Sequence, residues 1–282
     1  YKVNVQLVDF TSPEAPRIFA DSMLDSGFAV ISKHNISDSE ISSFYQAWEH
    51  FFVFGEPEEF LSKGDDQAGY FPTDKAETAK GNTVQDLKEY FQYWPGTKLP
   101  SHLTELTQSF FTKMISLGLI TMRWLQENTD SSLWHKIDRP FPEYLSKEHT
   151  LLRVLRYPPI KGPLAPKALR AAAHEDINLI TLLPAADEPG LELKSKSSDE
   201  WFPLEAPAGS IVVNIGDMLQ ELTDGSLPST SHRVVNPKQE HAQNSRMTAP
   251  VFCHPHPELI LSERYSAEEY LSERLKEINR RA

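Results

Sequence analysis

The chain has 282 residues, 39% of them hydrophobic and 24% charged, and carries a formal net charge of −12. An acid excess of this size speaks against a polyanionic partner such as nucleic acid, whose phosphates are neutralised by clustered Lys and Arg; here only Arg280-Arg281 sit together near an end. No apolar run approaches the roughly 20 residues needed to span a bilayer, and one cysteine, Cys253, rules out an intramolecular disulfide framework and fits a reducing, cytoplasmic compartment.

Residues 2–9 alternate, with Val3, Val5 and Leu7 on one face. They read as a short strand, not as the apolar core of a secretory signal. A helix is expected next, capped by Ser12 with Pro13 in its first turn and stopped by Gly27. A strand over 28–32 follows. Ser37-Asp38-Ser39-Glu40 forms a capping box ahead of Ile41, Phe44, Tyr45, Trp48, Phe51 and Phe52, which recur at helical spacing. His50 on that helix has no ligand-type residue at a helical offset and reads as a packing or surface residue. From Gly55 to Pro100 the pattern breaks up around Gly69-Tyr70-Phe71-Pro72 and Trp94-Pro95-Gly96. Such a stretch is either a binding loop or lid, or a set of short helical turns around Leu87, Tyr90 and Phe91. Ser101 then caps a long helix whose stripe from Leu103 to Leu125 is core packing.

After Pro140 the period changes from helical to strand-like. Short strands are expected at 151–157, 180–183, 191–194, 201–204, 210–215, 232–235 and 246–253, punctuated by Pro and Gly. They indicate a sandwich or barrel-like double sheet. Ser266 and Glu269 form a second capping box for a closing helix through Tyr270, Leu271, Leu275 and Ile278. The chain therefore divides into an N-terminal helical region with short strands, 1–140, packed on a β-rich core with a C-terminal helix, 141–282.

The chemistry centres on His174-Glu175-Asp176. In an extended chain, residues two apart share a face, so His174 and Asp176 can grip one ion from one side while Glu175 points away. His232 heads another strand. Two His and one carboxylate on one face of an octahedral ion leave positions open, as in non-haem Fe(II) oxygenases. Arg246 and Thr248 also share strand parity, and a guanidinium beside a hydroxyl is a receptor for a carboxylate, to which Tyr157 can add a third donor. His254-Pro255-His256-Pro257-Glu258 alternates ligand-type residues, but its prolines suit a surface connection. His102, His135, His149 and His241 are expected in solvated settings without partners. Cys253, in an apolar run, is expected to be buried and inert.

Taken in order, Tyr157-Pro158, His174-x-Asp176, Pro189-Gly190-Leu191-Glu192-Leu193, Trp201, Val213-Asn214-Ile215-Gly216-Asp217, Thr223-Asp224-Gly225, His232-Arg233-Val234 and Arg246-x-Thr248 resemble the isopenicillin N synthase-like branch of the iron and 2-oxoglutarate dependent dioxygenases. The N-terminal half adds Ser26-Gly27-Phe28-Ala29-Val30, His34-Asn35-Ile36 and Asp86-Leu87-Lys88-Glu89. The resemblance implies a mainly β fold, a double-stranded β-helix or jelly roll flanked by helices. It implies His174, Asp176 and His232 as catalytic Fe(II) ligands, and Arg246, Thr248 and Tyr157 as the 2-oxoglutarate-binding set. It also implies an oxidoreductase that uses O2 to hydroxylate, desaturate or cyclise a small molecule, with release of succinate and CO2. Two positions depart from the family pattern: Thr248 stands for its serine, and Leu155 for an asparagine that orients the cosubstrate. Asn214-Ile215-Gly216-Asp217 reads as a structural turn. Candidate substrate-wall residues are Tyr70, Phe71, Gln92, Trp94 and Arg153. Three other readings compete. One is an iron oxidase of the same branch that uses no 2-oxoglutarate, another is a non-catalytic metal- or ligand-binding β-helix, and the last is a zinc hydrolase, which leaves Arg246 and Thr248 without a task.

Overall fold

The computed structural model describes residues 4–63, 67–73, 87–160, 169–186, 188–195, 198–237 and 243–279. Asp86, His241 and Arg280-Arg281 lie outside them.

The N-terminal part begins with β1 (Gln6–Asp9), α1 (Ala15–Ser26), β2 (Phe28–Ser32) and α2 (Asp38–Phe54). Strand β1 pairs parallel to β2 as the edge of its sheet, which leaves Leu7 exposed and Val8 buried, the reverse of the expected face. Helix α1 starts later than expected. Ser12 instead closes a turn, its Oγ accepting from Glu14 N–H, and no side chain caps the helix. Gly27 does end it, in the left-handed region at φ 74°, where a Cβ would meet the Pro228 carbonyl at 2.3 Å. The Ser37/Glu40 capping box is present in both directions.

The stretch after α2 contributes β3 (Gly69–Phe71) and β4 (Glu89–Tyr93). Tyr90 and Phe91 therefore lie in a strand, and the expectation of helical turns around them is overturned. Cross-strand pairing of β4 with β5 (Leu151–Tyr157) outweighs weak local signals. The long helix is α3 (Thr104–Glu127), preceded by a separate 3-10 turn at Ser101–Leu103 in which Ser101 makes no side-chain cap.

The C-terminal part continues with β6 (Ala171–His174), β7 (Ile180–Pro184), β8 (Leu191–Lys194), β9 (Trp201–Pro203), β10 (Ile211–Ile215), α4 (Asp217–Leu222), β11 (His232–Val234), β12 (Arg246–Thr248), β13 (Val251–Cys253) and α5 (Ala267–Asn279). Strand β6 was not expected, because its Ala-rich sequence has little strand propensity. The strand expected over 246–253 is two, broken at Ala249-Pro250, since Pro250 lacks the N–H a continuous ladder needs.

These strands form two sheets. In the larger, the order is β1-β2-β10-β7-β13-β5-β4-β3, with β12 also on β5; the smaller runs β6-β11-β8-β9. The result is a jelly roll with helices packed outside the larger sheet, and N-terminal strands β1 to β4 belong to that same sheet. Side-chain alternation divides its faces cleanly. Ile180 and Leu182, Ile211 and Val213, Leu152 and Val154, and Met247 join Phe44, Phe110 and Met114 of the helices in one core. The opposite parity faces the smaller sheet. Among the described residues no helix is long and apolar enough to cross a membrane.

Candidate metal centre

The inner side of the jelly roll brings His174, Asp176 and His232 together. His174 ends β6 and His232 begins β11, and the two are direct antiparallel partners. Cross-strand partners hold their Cβ atoms about 5 Å apart, and here the rings lie 4.4 Å centroid to centroid. Each Nε2 is 3.8 Å from Asp176 Oδ1, and one ligand atom from each residue lies within 4.8 Å of the others. Each Nδ1 faces a backbone carbonyl, that of Ala172 at 2.8 Å for His174 and that of Thr230 at 3.2 Å for His232. Donation from Nδ1–H fixes the tautomer and leaves the Nε2 lone pair for a metal.

The electrostatics suit that role. Burial, then the nearby His232, pushes the His174 imidazole down to about 4. Its exposed edge looks into a cavity, not bulk water, so it is neutral as a ligand must be. Burial alone would raise the Asp176 carboxyl, but the two imidazoles and two hydrogen bonds outweigh it and hold the group below its usual range. Those bonds come to Oδ2 from Thr181 Oγ1 at 2.6 Å and Asn214 Nδ2 at 2.8 Å, and Asn178 donates to Thr181 Oγ1 at 2.8 Å. Oδ2 is thus committed to the protein and Oδ1 is left for the ion. Asn214 is therefore more than the structural turn expected of its segment. The turn itself belongs to Gly216, where a Cβ would meet Asn178 Oδ1 at 2.1 Å. Glu175 is exposed on the cavity rim, outside the metal cluster.

A second group lies on the inner face of the larger sheet. Arg246 pairs with Tyr157 and Thr248 with Leu155 in the β12–β5 register, and all four are buried. Arg246 donates Nε–H to the Glu188 carbonyl at 3.0 Å, and its guanidinium lies over the Tyr157 ring, 5.4 Å from the centroid. Arg246 Nη1 and Thr248 Oγ1 are buried without hydrogen-bond partners. Buried orphans of this kind are costly unless a ligand satisfies them. A carboxylate fits both. Leu155 packs with Tyr90 and Tyr157 and offers no polar contact.

A cavity of about 1100 Å³ opens on His174 and Asp176. Of the candidate wall residues, Gln92, Trp94 and Arg153 line it. Tyr70 and Phe71 do not: Tyr70 donates to Glu89 at 2.6 Å, and Phe71 stacks on Tyr90. His254 is a correction. It continues the inner parity of Phe252 into the cavity instead of serving as a surface connection, and burial beside His149 pushes it down to about 4. Nor are His135 and His149 without partners, since their Nδ1 atoms lie 2.9 Å from the Ser132 carbonyl and 2.7 Å from Ser146 Oγ. His102 is exposed, as is His50, whose ring lies beside Phe54. Cys253 is fully buried, which pushes its thiol up.

Comparison with known proteins places this arrangement. A sequence profile of the 2OG-Fe(II) oxygenase superfamily matches residues 148–255. A crystal structure of a protein from Shewanella oneidensis assigned as an oxygenase is 38% identical, with a TM-score of 0.88 over 98% of this chain and 99% of that one. A Caulobacter crescentus protein assigned to the 2OG-Fe(II) oxygenase family is 28% identical, with a TM-score of 0.81 over 97% and 99% of the two chains. The 2-oxoglutarate-dependent dioxygenase citB of Monascus ruber is 25% identical over 264 residues, 83% of this chain and 78% of its own. The chain belongs to the 2OG-Fe(II) oxygenase superfamily. Within it, this is an Fe(II)- and 2-oxoglutarate-dependent oxygenase, with His174, Asp176 and His232 suited to hold the iron.

Proposed function

We propose that the protein hydroxylates, desaturates or cyclises a small anionic molecule, converting 2-oxoglutarate to succinate and CO2 in the same turnover. The observation that carries the cosubstrate assignment is the pair of orphaned donors, Arg246 Nη1 and Thr248 Oγ1. In this reading His174, Asp176 and His232 hold the iron, and Arg246, Thr248 and Tyr157 hold the distal carboxylate. Bound iron supplies oxidation of a C–H bond by O2, with 2-oxoglutarate as the electron source. The chain's own part is positional. Its neutral imidazoles present Nε2, and its committed Asp176 Oδ2 aims Oδ1.

The cavity floor supports an anionic substrate. Lys88 lines the cavity and is buried, with its charge close enough to act on His174. Arg153 is fixed by Gln92 Oε1, which accepts from Nε at 2.9 Å and Nη2 at 2.6 Å. Its guanidinium lies over the rings of Tyr90 and Phe252, 4.9 and 5.5 Å from the centroids. Besides Asp176, the acidic lining residues are Glu59, Glu148 and Glu175, which are exposed, and Asp217 and Glu277, which are half-buried. A small acid with a planar apolar part would put its charge on the floor and its body against Trp94 and Phe252.

The test is succinate release from 2-oxoglutarate under air with Fe(II) and ascorbate. Succinate above the enzyme-free background, lost in Asp176→Ala, is expected. Equal amounts with both proteins, or none from the wild type with iron bound, would refute the reading.

A further inference from the structure

Arg170 lies one residue before β6, whose pairing with β11 shifts register between His174 and Ala171, and its guanidinium reaches the ring of Tyr157 on the inner side of the larger sheet. It is among the largest fully buried side chains of the protein, 1% exposed. A guanidinium has five N–H donors. Here Nη2 donates to the Asn244 carbonyl at 3.0 Å, while Nε and Nη1 are buried without partners. Burial, and after it the like charge of Arg246, hold Arg170 below its ordinary value. Both guanidinium groups sit over one ring, that of Tyr157, at 5.8 Å for Arg170 and 5.4 Å for Arg246.

Two buried cations side by side repel, and each leaves N–H groups unsatisfied. Removing such charges from water costs several kcal/mol per ion unless an anion is supplied. Glu188, the carboxylate whose charge acts on Arg170, instead accepts from Asn244 Nδ2 at 2.6 Å with an exposed geometry. The buried Asp176 is committed to Thr181, Asn214 and the metal position. Among the described residues no carboxylate meets these N–H groups, and a ligand with one carboxylate would supply the partner. Its two oxygens offer about four acceptor sites, enough for Arg170 Nε and Nη1, Arg246 Nη1 and Thr248 Oγ1.

We propose that Arg170 is a second arginine of the cosubstrate pocket, sharing the distal carboxylate of 2-oxoglutarate with Arg246 and Thr248 and setting the preference for a keto dicarboxylate. This rests on the reading that 2-oxoglutarate binds at Arg246. Arg170 acts there as a positioning residue, since it touches the end of the cosubstrate remote from the iron.

The experiment is calorimetric titration of the anaerobic Fe(II)-loaded protein with 2-oxoglutarate and with 2-oxopentanoate, a keto acid of the same chain length without the distal carboxylate. Arg170→Met is expected to weaken 2-oxoglutarate binding by on the order of tenfold to a hundredfold, the worth of charge-assisted hydrogen bonds, while 2-oxopentanoate binding stays within about threefold of wild type. Arg170→Lys, which keeps the charge and loses the fork, is expected to lose about tenfold on 2-oxoglutarate alone, and decides the matter if the Met variant does not fold. Wild-type 2-oxoglutarate affinity in either folded variant, with Arg246→Met weakened, would overturn the role of Arg170 and leave the cosubstrate site standing. Equal weakening of both keto acids would mark a structural role and likewise overturn it. A wild-type protein that binds iron but not 2-oxoglutarate would overturn the underlying reading instead.

Discussion

Asn214→Ala tests whether the carboxylate ligand is held by its neighbours. Asp176 Oδ2 has two donors, Thr181 Oγ1 at 2.6 Å and Asn214 Nδ2 at 2.8 Å, and Asn214 is 2% exposed, so water does not readily replace the lost amide. A hydrogen bond to a charged group contributes about 1.5–3 kcal/mol. Part of that loss appears as weaker metal binding, because the freed carboxylate can rotate and Oδ1 is no longer aimed. Outer-shell partners of metal ligands typically control 10- to 100-fold in affinity, about 1.4 to 2.7 kcal/mol. The assay is anaerobic Fe(II) titration against a competing chelator, with the metal-free melting temperature as the control for folding. Thr181→Val, nearly the same shape without the hydroxyl, should act in the same direction and couple with Asn214→Ala in a double-mutant cycle, since both bonds end on one oxygen. An Fe(II) affinity within twofold of wild type in both folded variants would refute the reasoning.

Two further outcomes are expected. Cys253 is completely buried and its thiol is pushed well up by that burial, so a thiol reagent at pH 8 should leave the native protein unlabelled and react only on unfolding; stoichiometric labelling of folded protein would contradict this. His254 sits at about 4 in the folded chain against an ordinary 6.5, so below pH 6.5 the unfolded chain takes up a proton that the folded one refuses. Its contribution is complete above pH 6.5 and lost as pH falls toward 4, with an upper bound of roughly 3 kcal/mol. Urea unfolding of the metal-free protein at pH 7 and pH 5 should therefore show a smaller pH-dependent loss for His254→Gln than for wild type, and an identical loss would count against it.

The parts of the fold legible in the sequence are those written locally. Ser37 and Glu40 announce α2 because both halves of the capping box lie within one turn, and Gly27 ends α1 because only a residue without Cβ fits against Pro228. The three iron ligands are legible by motif, whereas strand parity is not what aligns them, since β6 ends at His174 and Asp176 lies beyond it. What could not be read locally depends on which strands become neighbours. Asn214 serves Asp176 because β10 pairs with β7 and sets Asn214 opposite Thr181, a register that no spacing within either segment specifies. His254 follows a buried strand and then leaves it on the cavity side. Its parity with Phe252 was a usable signal, masked by the flanking prolines. Strand β4 was hidden because Tyr90 and Phe91 owe their conformation to pairing with Leu155 and Val154.

The acid excess and the interior of the site obey different electrostatics. A net charge of −12 is spread over the surface of a 282-residue chain, where salt screens it within about 8 Å, and its consequence is repulsion of extended polyanions that need many simultaneous contacts. Lys88, Arg170 and Arg246 are buried, and Arg153 is held between two rings on the same inner side. Away from bulk water their field is screened less and acts at short range. Among the described residues the buried carboxylates are Glu89, paired with Arg156 at 2.7 Å on the neighbouring strand, and the metal-directed Asp176. An acidic protein can thus be selective for small acids. In the proposed reading, the overall charge bears on which macromolecules approach, while the cations buried between the sheets select among small carboxylates.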